Sequence, residues 1–520
     1  MDLMGTRTVN DVLIDRAGLY PQAPFLVAED RDGRVVEFSY ADFLERVRCT
    51  AGGLSQAGVR AGDSVVLHLE NSAEFVLTWF AVLWAGAVAV PSNTANTASE
   101  LDHVIELSEA RTVITSERHG DVVVRAAAPH HGRLRVLVAR GRSAHLGAAH
   151  LDEFDATPVA PAAVGSEDLA ELIFTSGTTS KPKAVMLTHA NCLHAGEEMS
   201  KGLALDASDR LLTTLPLFHV NAQAATVLPA LTVGGTCVVL EEYSASRFLS
   251  QVRGHRATSV SLVAMQVRTL LAQPPRLDDA VHPVRRCFFV LPVTAEERAA
   301  FERRFGIRLT YGYGLSEAMM LLSLAPLAGD PHWPSIGLPT INRDVRLVDE
   351  TGSEVPVGSP GEIVVAGTPG RTLMKGYFRN EGATAEALRD GWLHTGDVGR
   401  FDEDGFLFFV DRRKDVIKRS GENISAAEVE TTLAAHPGVV EAAVIGVPDP
   451  IRDEAVWAYV VPDGPLEEAE LLEYCRERLS AFKVPSEVVF VTSLPKTSIG
   501  KINKSLLRAE AAGGATEPGE

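Results

Sequence analysis

At 520 residues the chain exceeds what one hydrophobic core holds, so two or more domains are expected. Its 46% hydrophobic and 22% charged residues are ordinary for a soluble globular protein. A net charge of −19, with no Lys/Arg-rich run, argues against nucleic acid or an anionic membrane as the main partner, so any anionic ligand must be held by local donors.

The five cysteines (Cys49, Cys192, Cys237, Cys287, Cys475) are scattered without CxxC pairing, as expected of reduced thiols rather than a disulfide frame or metal site. The first residues, MDLMGTRTVNDVL, lack the basic-then-apolar layout of a signal peptide. The most apolar stretch, residues 75–90, is short for a membrane span and reads as a buried helix running into a buried strand. A cytoplasmic protein is the expectation.

From residue 40 to about 315, helix-like and strand-like segments alternate. Residues 40–54 place Phe43, Leu44, Val47 and Leu54 at roughly helical spacing, 64–69 reads as a strand, 73–85 as a helix and 87–90 as a strand. Strands at 236–240 and 258–262 flank a helix at 245–255, and a helix at 294–305 precedes a strand at 307–311. This alternation predicts an α/β fold whose large N-terminal domain has parallel sheets covered by helices on both faces. Ligands of such sheets lie beyond the carboxyl ends of the strands. After about residue 340, short strands with glycine turns (345–348, 362–366, 405–410) predict a β-rich subdomain. Beyond Asp411 a helix at 426–435, strands at 439–447 and 455–461 and a helix at 466–480 predict a small α+β domain. The expected boundaries are 1–410 and 411–510, with a disordered tail at 511–520.

The most informative string is residues 172–191, LIFTSGTTSKPKAVMLTHAN. An apolar run empties into Thr175, Ser176, Gly177, Thr178 and Thr179, and Lys181 and Lys183 bracket Pro182 before a second apolar run. A strand ending in hydroxyls and backbone amides, with cations nearby, suits phosphate oxygens. The spacing is not that of the ordinary P-loop. Residues 311–317, YGYGLSE, combine glycines that admit close backbone approach, a tyrosine able to stack on a base and a carboxylate able to hold Mg²⁺. Residues 392–397, WLHTGD, precede a hairpin ending in Asp411-Arg412-Arg413-Lys414-Asp415. A buried carboxylate there can accept from both ribose hydroxyls, with an arginine beside it. Residues 418–425, KRSGENIS, form a glycine turn before a helix whose cap is Ser425, with Glu428 placed to complete a capping box. Residues 495–501, PKTSIGK, place Lys501 in a glycine turn near the C-terminus.

In combination these strings resemble the adenylate-forming enzymes, a superfamily of acyl-CoA synthetases, peptide-synthetase adenylation domains and luciferases. The likeness runs from about residue 10 to 508 and is closest to carnitine/crotonobetaine-CoA ligases in TSGTTSKPK, EEYSASRF, HWPSIG and VDRRKDVIKRSGENIS. The departures are Ser180 and Ala184, where the family usually has glycines, Ser316 for threonine, Ser420 for the first of two glycines, and FFVLPVT at 288–294 for a GGAP-like turn.

The resemblance implies roles residue by residue. Thr175, Ser176, Gly177, Thr178, Thr179 and Lys183 would surround the phosphates of ATP. Tyr313 would stack on adenine beside Gly314, Ser316 would touch phosphate, and Glu317 with Thr178 would hold Mg²⁺. Asp397 and Arg412 would bind the ribose, and Lys414 would be the hinge of the C-terminal domain. Ser420, Gly421 and Glu422 would wall the pantetheine tunnel for CoA. Lys501 would reach the carboxylate and α-phosphate as the catalytic lysine. Residues 215–223, LPLFHVNAQ, would border the acyl pocket with His219 as a movable gate. The other pocket candidates are Val220, Asn221, Val263, Ala264, Leu291, Gly312 and Met319, mostly apolar and without a cation, which favours an apolar or aromatic acid over a dicarboxylate.

The implied activity is an ATP-dependent acid–thiol ligase that forms an acyl-adenylate and then transfers the acyl group to CoA. Two rivals keep the nucleotide chemistry: an ATP-dependent diazotase activating nitrite for an aryl amine, and an acyl-AMP ligase loading a carrier protein. A non-enzymatic descendant predicts lost catalytic positions, yet Glu317, Asp397, Arg412 and Lys501 are all in place. A monomer or homodimer is expected.

Overall fold

The computed structural model describes residues 5–130, 132–142, 146, 148–154, 157–175, 182–412, 415–419, 422–449, 453–479, 481–496 and 502–514. Its contacts separate two compact units. One is built from residues up to 175, 183–345 and 365–393, the other from 346–364 and from 394 onward.

The first unit holds two large sheets. One runs in the order Gly376–Tyr377, Lys183–Thr188, Leu169–Thr175, Val88–Pro91, Ser64–His68, Thr112–Ser116, Arg135–Arg140, Ala149–His150. The other runs Leu338–Pro339, Met320–Leu324, Thr310–Leu315, Arg286–Val290, Ser259–Val263, Arg210–Thr213, Thr236–Leu240, Pro24–Glu29, Val35–Ser39. Both are parallel at the centre, as expected; the second turns antiparallel toward both edges, and the first only toward the edge at Gly376–Tyr377, its Arg135–Arg140 and Ala149–His150 end staying parallel. The second apolar run of the 172–191 string shows why. The link at 176–182 is too short for a parallel crossover, so Lys183–Thr188 folds straight back on Leu169–Thr175.

Central strands such as Val88–Pro91 and Thr112–Ser116 are buried throughout, and Val88–Pro91 reads accordingly as an unbroken apolar run. The stretch 75–90 is core: helix Ala73–Trp84 is buried at every position but Glu74 and leads into strand Val88–Pro91. Helix Tyr40–Gln56, capped by Ser39, packs Phe43, Val47, Ala51 and Leu54 inward and lies on helix Ala73–Trp84. Among the described residues no helix is long and apolar enough to cross a membrane.

In the second unit, the segment from 394 to Phe401 pairs antiparallel with Leu407–Arg412. A further sheet follows in the order Glu422–Ser425, Val416–Arg419, Asp453–Pro462, Val439–Asp449, with Glu487–Phe490 parallel to Asp453–Pro462. Its two faces alternate along the strands. Val444, Val456 and Val460 pack with helices Ala426–Ala434 and Glu468–Arg476, while Ala443, Ile445 and Tyr459 pack with Leu507 and Ala511. Helix Lys504–Gly514 therefore takes in the first residues of the segment expected as a tail, because Ala511 completes the second apolar face.

Candidate active site

The phosphate-loop candidates Ser176, Gly177, Thr178 and Thr179 lie outside the described residues, but the base of their loop is defined. Thr175 ends strand Leu169–Thr175 directly opposite Lys183, and its Oγ1 donates to the Lys183 carbonyl at 3.5 Å. Lys183 Nζ sits 4.9 Å from the centre of the Tyr377 ring. Tyr377 lies in an edge strand opposite Val185, and its hydroxyl donates to Glu317 Oε1 at 2.8 Å. An ammonium, a phenol and a carboxylate thus run in line from the loop base to the YGYGLSE turn. Burial, and then the charge of Glu317, push the Tyr377 hydroxyl above its ordinary range, so it stays a donor at neutral pH. Tyr377 was not a sequence candidate; its place beside Glu317 comes from an edge pairing with Val185, far back along the chain.

The glycines of YGYGLSE do not end the strand: Thr310–Leu315 runs through them. A Cβ on Gly314 would lie 1.4 Å from the Met320 carbonyl oxygen, and one on Gly312 would lie 2.5 Å from the Phe288 ring. Both positions require glycine for close approach. Tyr313, Gly314, Ser316 and Glu317 are half-buried at this strand end and in the turn Ser316–Ala318. The chain then returns through Met319 and Met320 at φ +46° and +89°, where bulky residues are uncommon.

Arg343 holds that turn. Its guanidinium donates to the carbonyls of Leu321 (3.1 Å), Thr372 (2.6 Å) and Ala318 (2.7 Å). Burial lowers its pKa to about 10, so it remains charged at neutral pH. The Met374 amide donates to the Glu317 carbonyl at 2.7 Å. Residues 370–373 are in turn fixed by Thr188 Oγ1 on the Gly370 carbonyl and by Asn191 Nδ2 on the carbonyls of Arg371 and Leu373. Sequence reading missed Arg343, since a lone buried arginine carries no local motif.

The acyl-side candidates gather at the carboxyl ends of adjacent parallel strands. Val263 ends strand Ser259–Val263 and Ala264 follows it, Leu291 follows Arg286–Val290, and Gly312 lies on Thr310–Leu315, the next strand. Asn221 Oδ1 accepts from Ser261 Oγ at 2.8 Å, and Val220 and Asn221 are half-buried. His219 precedes the short helix Val220–Ala222, its ring 4.4 Å from that of Phe218. Met319 is buried beneath the turn, at 1% exposure, rather than open to a pocket. Leu291 adopts φ +72° with its side chain 37% exposed. A backbone shape that suits glycine is kept here with leucine in place.

The second unit carries Asp397, buried on strand Trp392–Phe401 with its amide donating to Thr395 Oγ1 at 3.1 Å. Thr395 Oγ1 donates to the Ile363 carbonyl, and Glu362 accepts from the Gly396 amide and faces His394 Nδ1 at 3.2 Å. Register places Asp397 opposite Arg412, of which only the backbone is described, as is also true of Glu422. Lys414, Ser420, Gly421 and Lys501 lie outside the described residues. The base of the Lys501 turn is closed by bridge pairing of Lys496 with Ile502 and by the Asn503 amide on the Pro495 carbonyl at 2.7 Å.

The capping box expected at Ser425 is only half made. Ser425 Oγ accepts from the Glu428 amide, but the Glu428 carboxylate turns to Lys483 at 2.7 Å. Asp411 accepts from another donor of the first turn, the Ala427 amide, at 3.1 Å.

Residues 13–378 match the AMP-binding enzyme family, and residues 428–501 match the AMP-binding enzyme C-terminal domain. The chain belongs to the AMP-binding enzyme family. Among the relatives of this AMP-binding enzyme is the crotonobetaine/carnitine–CoA ligase of Salmonella typhi, 38% identical over 98% of this chain and 100% of the relative. Its fold is shared with the anthranilate CoA ligase AuaEII in complex with anthranoyl-AMP (TM-score 0.88, 26% identity, 98% of each chain). It is shared also with the o-succinylbenzoate coenzyme A synthetase MenE of Bacillus subtilis in complex with ATP and magnesium ion (TM-score 0.84, 28% identity, 98% of this chain and 100% of that one). These matches carry the family resemblance of the sequence motifs and the expected α/β class through to the folded chain.

Proposed function

We propose that this AMP-binding enzyme is an AMP-forming acid–thiol ligase that joins a small organic carboxylic acid to CoA by way of an acyl-adenylate. The observation that carries the reading is the line from Lys183 through Tyr377 to Glu317 at the base of the hydroxyl-rich loop. The relatives named above, CoA ligases and an acyl-adenylate complex among them, support it.

Within this proposal Lys183 and the 175–179 segment hold the phosphates of ATP, and Tyr313 and Gly314 lie against its base. A half-buried carboxylate with one oxygen engaged by Tyr377 fits a hard cation, so Glu317 with Thr178 would hold Mg²⁺. When bound, Mg²⁺ supplies charge neutralisation at the phosphates. Asp397 and Arg412 would hold the ribose. Lys501 places an ammonium against the carboxylate oxygen and α-phosphate as charge develops, and no proton need be removed for that attack.

The remainder of the proposal concerns motion and partners. A domain boundary at 410/411 with a hinge at Lys414 would let Lys501 leave and Ser420, Gly421 and Glu422 line the path of the CoA thiol, so that one cleft serves two transition states. The acid is apolar or aromatic, because the candidate pocket residues carry no cation. Five cysteines without a disulfide fit a reducing, cytosolic setting.

The test is a pyrophosphate-release screen over organic acids including crotonobetaine, anthranilate and benzoate, with and without CoA, and with a nitrite plus aryl-amine arm. The expected outcome is AMP and acyl-CoA from at least one acid. In acid-dependent pyrophosphate exchange, Lys501→Ala should lower the rate roughly 10²–10³-fold. Retention of normal exchange would remove Lys501 from adenylation.

A further inference from the structure

Strands Arg210–Thr213 and Ser259–Val263 are parallel neighbours, but their ladder is short. Their register ends with Leu212 opposite Val260, whereas on its other edge Ser259–Val263 stays paired as far as Val263 opposite Val290. Beyond Val260 side chains join the two strands, and the carboxyl ends of parallel strands are where such sheets take ligands. Gln266, only 1% exposed, spans this gap. Its Oε1 accepts from the Val263 amide at 3.1 Å, and its Nε2 donates to Thr214 Oγ1 at 2.6 Å. A backbone amide can only donate, so Oε1 must face Val263 and Nε2 must face Thr214. Val263 is the N-cap of helix Ala264–Leu271 and has no side-chain acceptor, and Gln266, the third helical residue, reaches back to it as one arm of a capping box. The Tyr243 hydroxyl holds the same helix start by donating to the Gln266 carbonyl at 3.2 Å. On the facing side, Thr213 Oγ1 accepts from the Leu215 amide at 3.0 Å, so the 214–219 turn leaves its strand from a fixed point. Ser261 Oγ on Asn221 Oδ1 is a second bridge between the two segments.

We infer that Gln266 is a positioning residue that sets the width of the acyl crevice: its one buried carboxamide holds the Val263–Ala264 strand end and the start of the 214–219 turn at a fixed separation. This rests on the reading that residues 215–223, Val263 and Ala264 border the acyl pocket. The amide suits the task because its donor and acceptor are rigidly joined, and each is spent on one wall. Gln266 and Thr214 are both buried, so a bond lost between them is not replaced by water. The walls then relax toward a different spacing, and a shift of about 1 Å is enough to weaken the hold on a small acid. The phosphate strand Leu169–Thr175 belongs to the other sheet and has no part in this link. Neither an amide nor a hydroxyl titrates in the ordinary range, so the effect is independent of pH.

The test compares wild type with Gln266→Met, Thr214→Val, Thr214→Ser and the double variant Gln266→Met/Thr214→Val. Methionine keeps the length of the side chain without its donor or acceptor, valine keeps the shape of threonine without its hydroxyl, and serine keeps the hydroxyl. In pyrophosphate exchange driven by crotonobetaine, with benzoate as second probe, Gln266→Met should raise the KM of the acid about tenfold while the KM of ATP stays within about twofold. Thr214→Val should raise the acid KM about threefold and Thr214→Ser should leave it within about twofold of wild type. The double variant should match Gln266→Met within about twofold, because the two residues act through one link. Equal changes in both KM values, an acid KM that rises as much in Thr214→Ser as in Thr214→Val, or a double variant whose rise is the product of the two single rises overturns the positioning role. Should Gln266→Met not fold, the two Thr214 variants decide alone. Amide hydrogen exchange of the protein without substrates gives a readout that needs no acid: Thr214→Val should speed exchange in residues 263–266 across the gap and leave residues 169–175 unchanged, and unchanged exchange at 263–266 overturns the link. A failure of the ligase reading shows separately, as wild-type pyrophosphate exchange with none of the acids.

Discussion

The proposed nucleotide side and the proposed acyl side of the first unit are held by different means. At the nucleotide side, strand ends present charged and aromatic groups that touch one another directly: Lys183 over Tyr377, Tyr377 on Glu317. At the acyl side, the 215–219 turn is clamped from behind by buried amides. Asn71 donates to the Leu215 carbonyl at 2.8 Å and accepts the Leu217 amide at 2.8 Å, and Gln223 donates to the Leu217 carbonyl. The nucleotide is common to the whole family, so its contacts can be fixed in contiguous motifs. The acid varies, so the wall facing it is set by supports that can be exchanged one at a time.

The strongest way to break this contrast is Glu317→Gln. The variant keeps the shape and the Tyr377 hydrogen bond but loses the charge, so acid-dependent pyrophosphate exchange should fall roughly 10²–10³-fold with the acid KM little changed. A large shift in the acid KM instead would show that the two sides are not separable in this way.

Asn71→Ala should have a smaller and opposite signature. It leaves the carbonyls of Leu215 and Leu240 and the Leu217 amide without their buried partner, a loss of about 1–3 kcal/mol in stability. The acid KM should rise about tenfold while the ATP KM stays near its wild-type value, because the turn and not the phosphate strand has moved. Urea midpoints and paired KM measurements check both parts.

The same contrast explains what could be read from the sequence. The phosphate strand, YGYGLSE and WLHTGD were legible because each packs its residue types into a few consecutive positions. The parallel centre of the sheets was legible because helix-like and strand-like segments alternate along the chain, as in strand Ser64–His68, helix Ala73–Trp84 and strand Val88–Pro91. The edge pairing of Tyr377, the guanidinium of Arg343 behind the Glu317 turn, and the Asn71 support were not, since each gains meaning only from partners far along the chain. Strand Thr310–Leu315 was placed too early because glycines read as punctuation, whereas here they permit the approach of Met320 and Phe288. The box at Ser425 was over-read because the pattern does not say that Lys483 competes for Glu428.

The smallest expected effect is the most discriminating. Leu291 stands at φ +72° between strand Arg286–Val290 and helix Ala295–Phe305, a conformation that costs an L side chain about 1–2 kcal/mol. Glycine there removes that strain but gives back about 0.5–1 kcal/mol through the greater freedom of the unfolded chain. With the leucine side chain 37% exposed, little burial is lost. Leu291→Gly should therefore equal wild type in stability or exceed it by up to about 1 kcal/mol. Leu291→Ala keeps the strain, loses the side chain and should be the less stable of the two, reversing the usual order of alanine and glycine. Both should admit bulkier acids in the exchange assay with the ATP KM unchanged, because only the acyl wall has been cut back. If Leu291→Ala melts above Leu291→Gly, the leucine is not strained, and the acyl wall would have to be explained by side-chain volume alone.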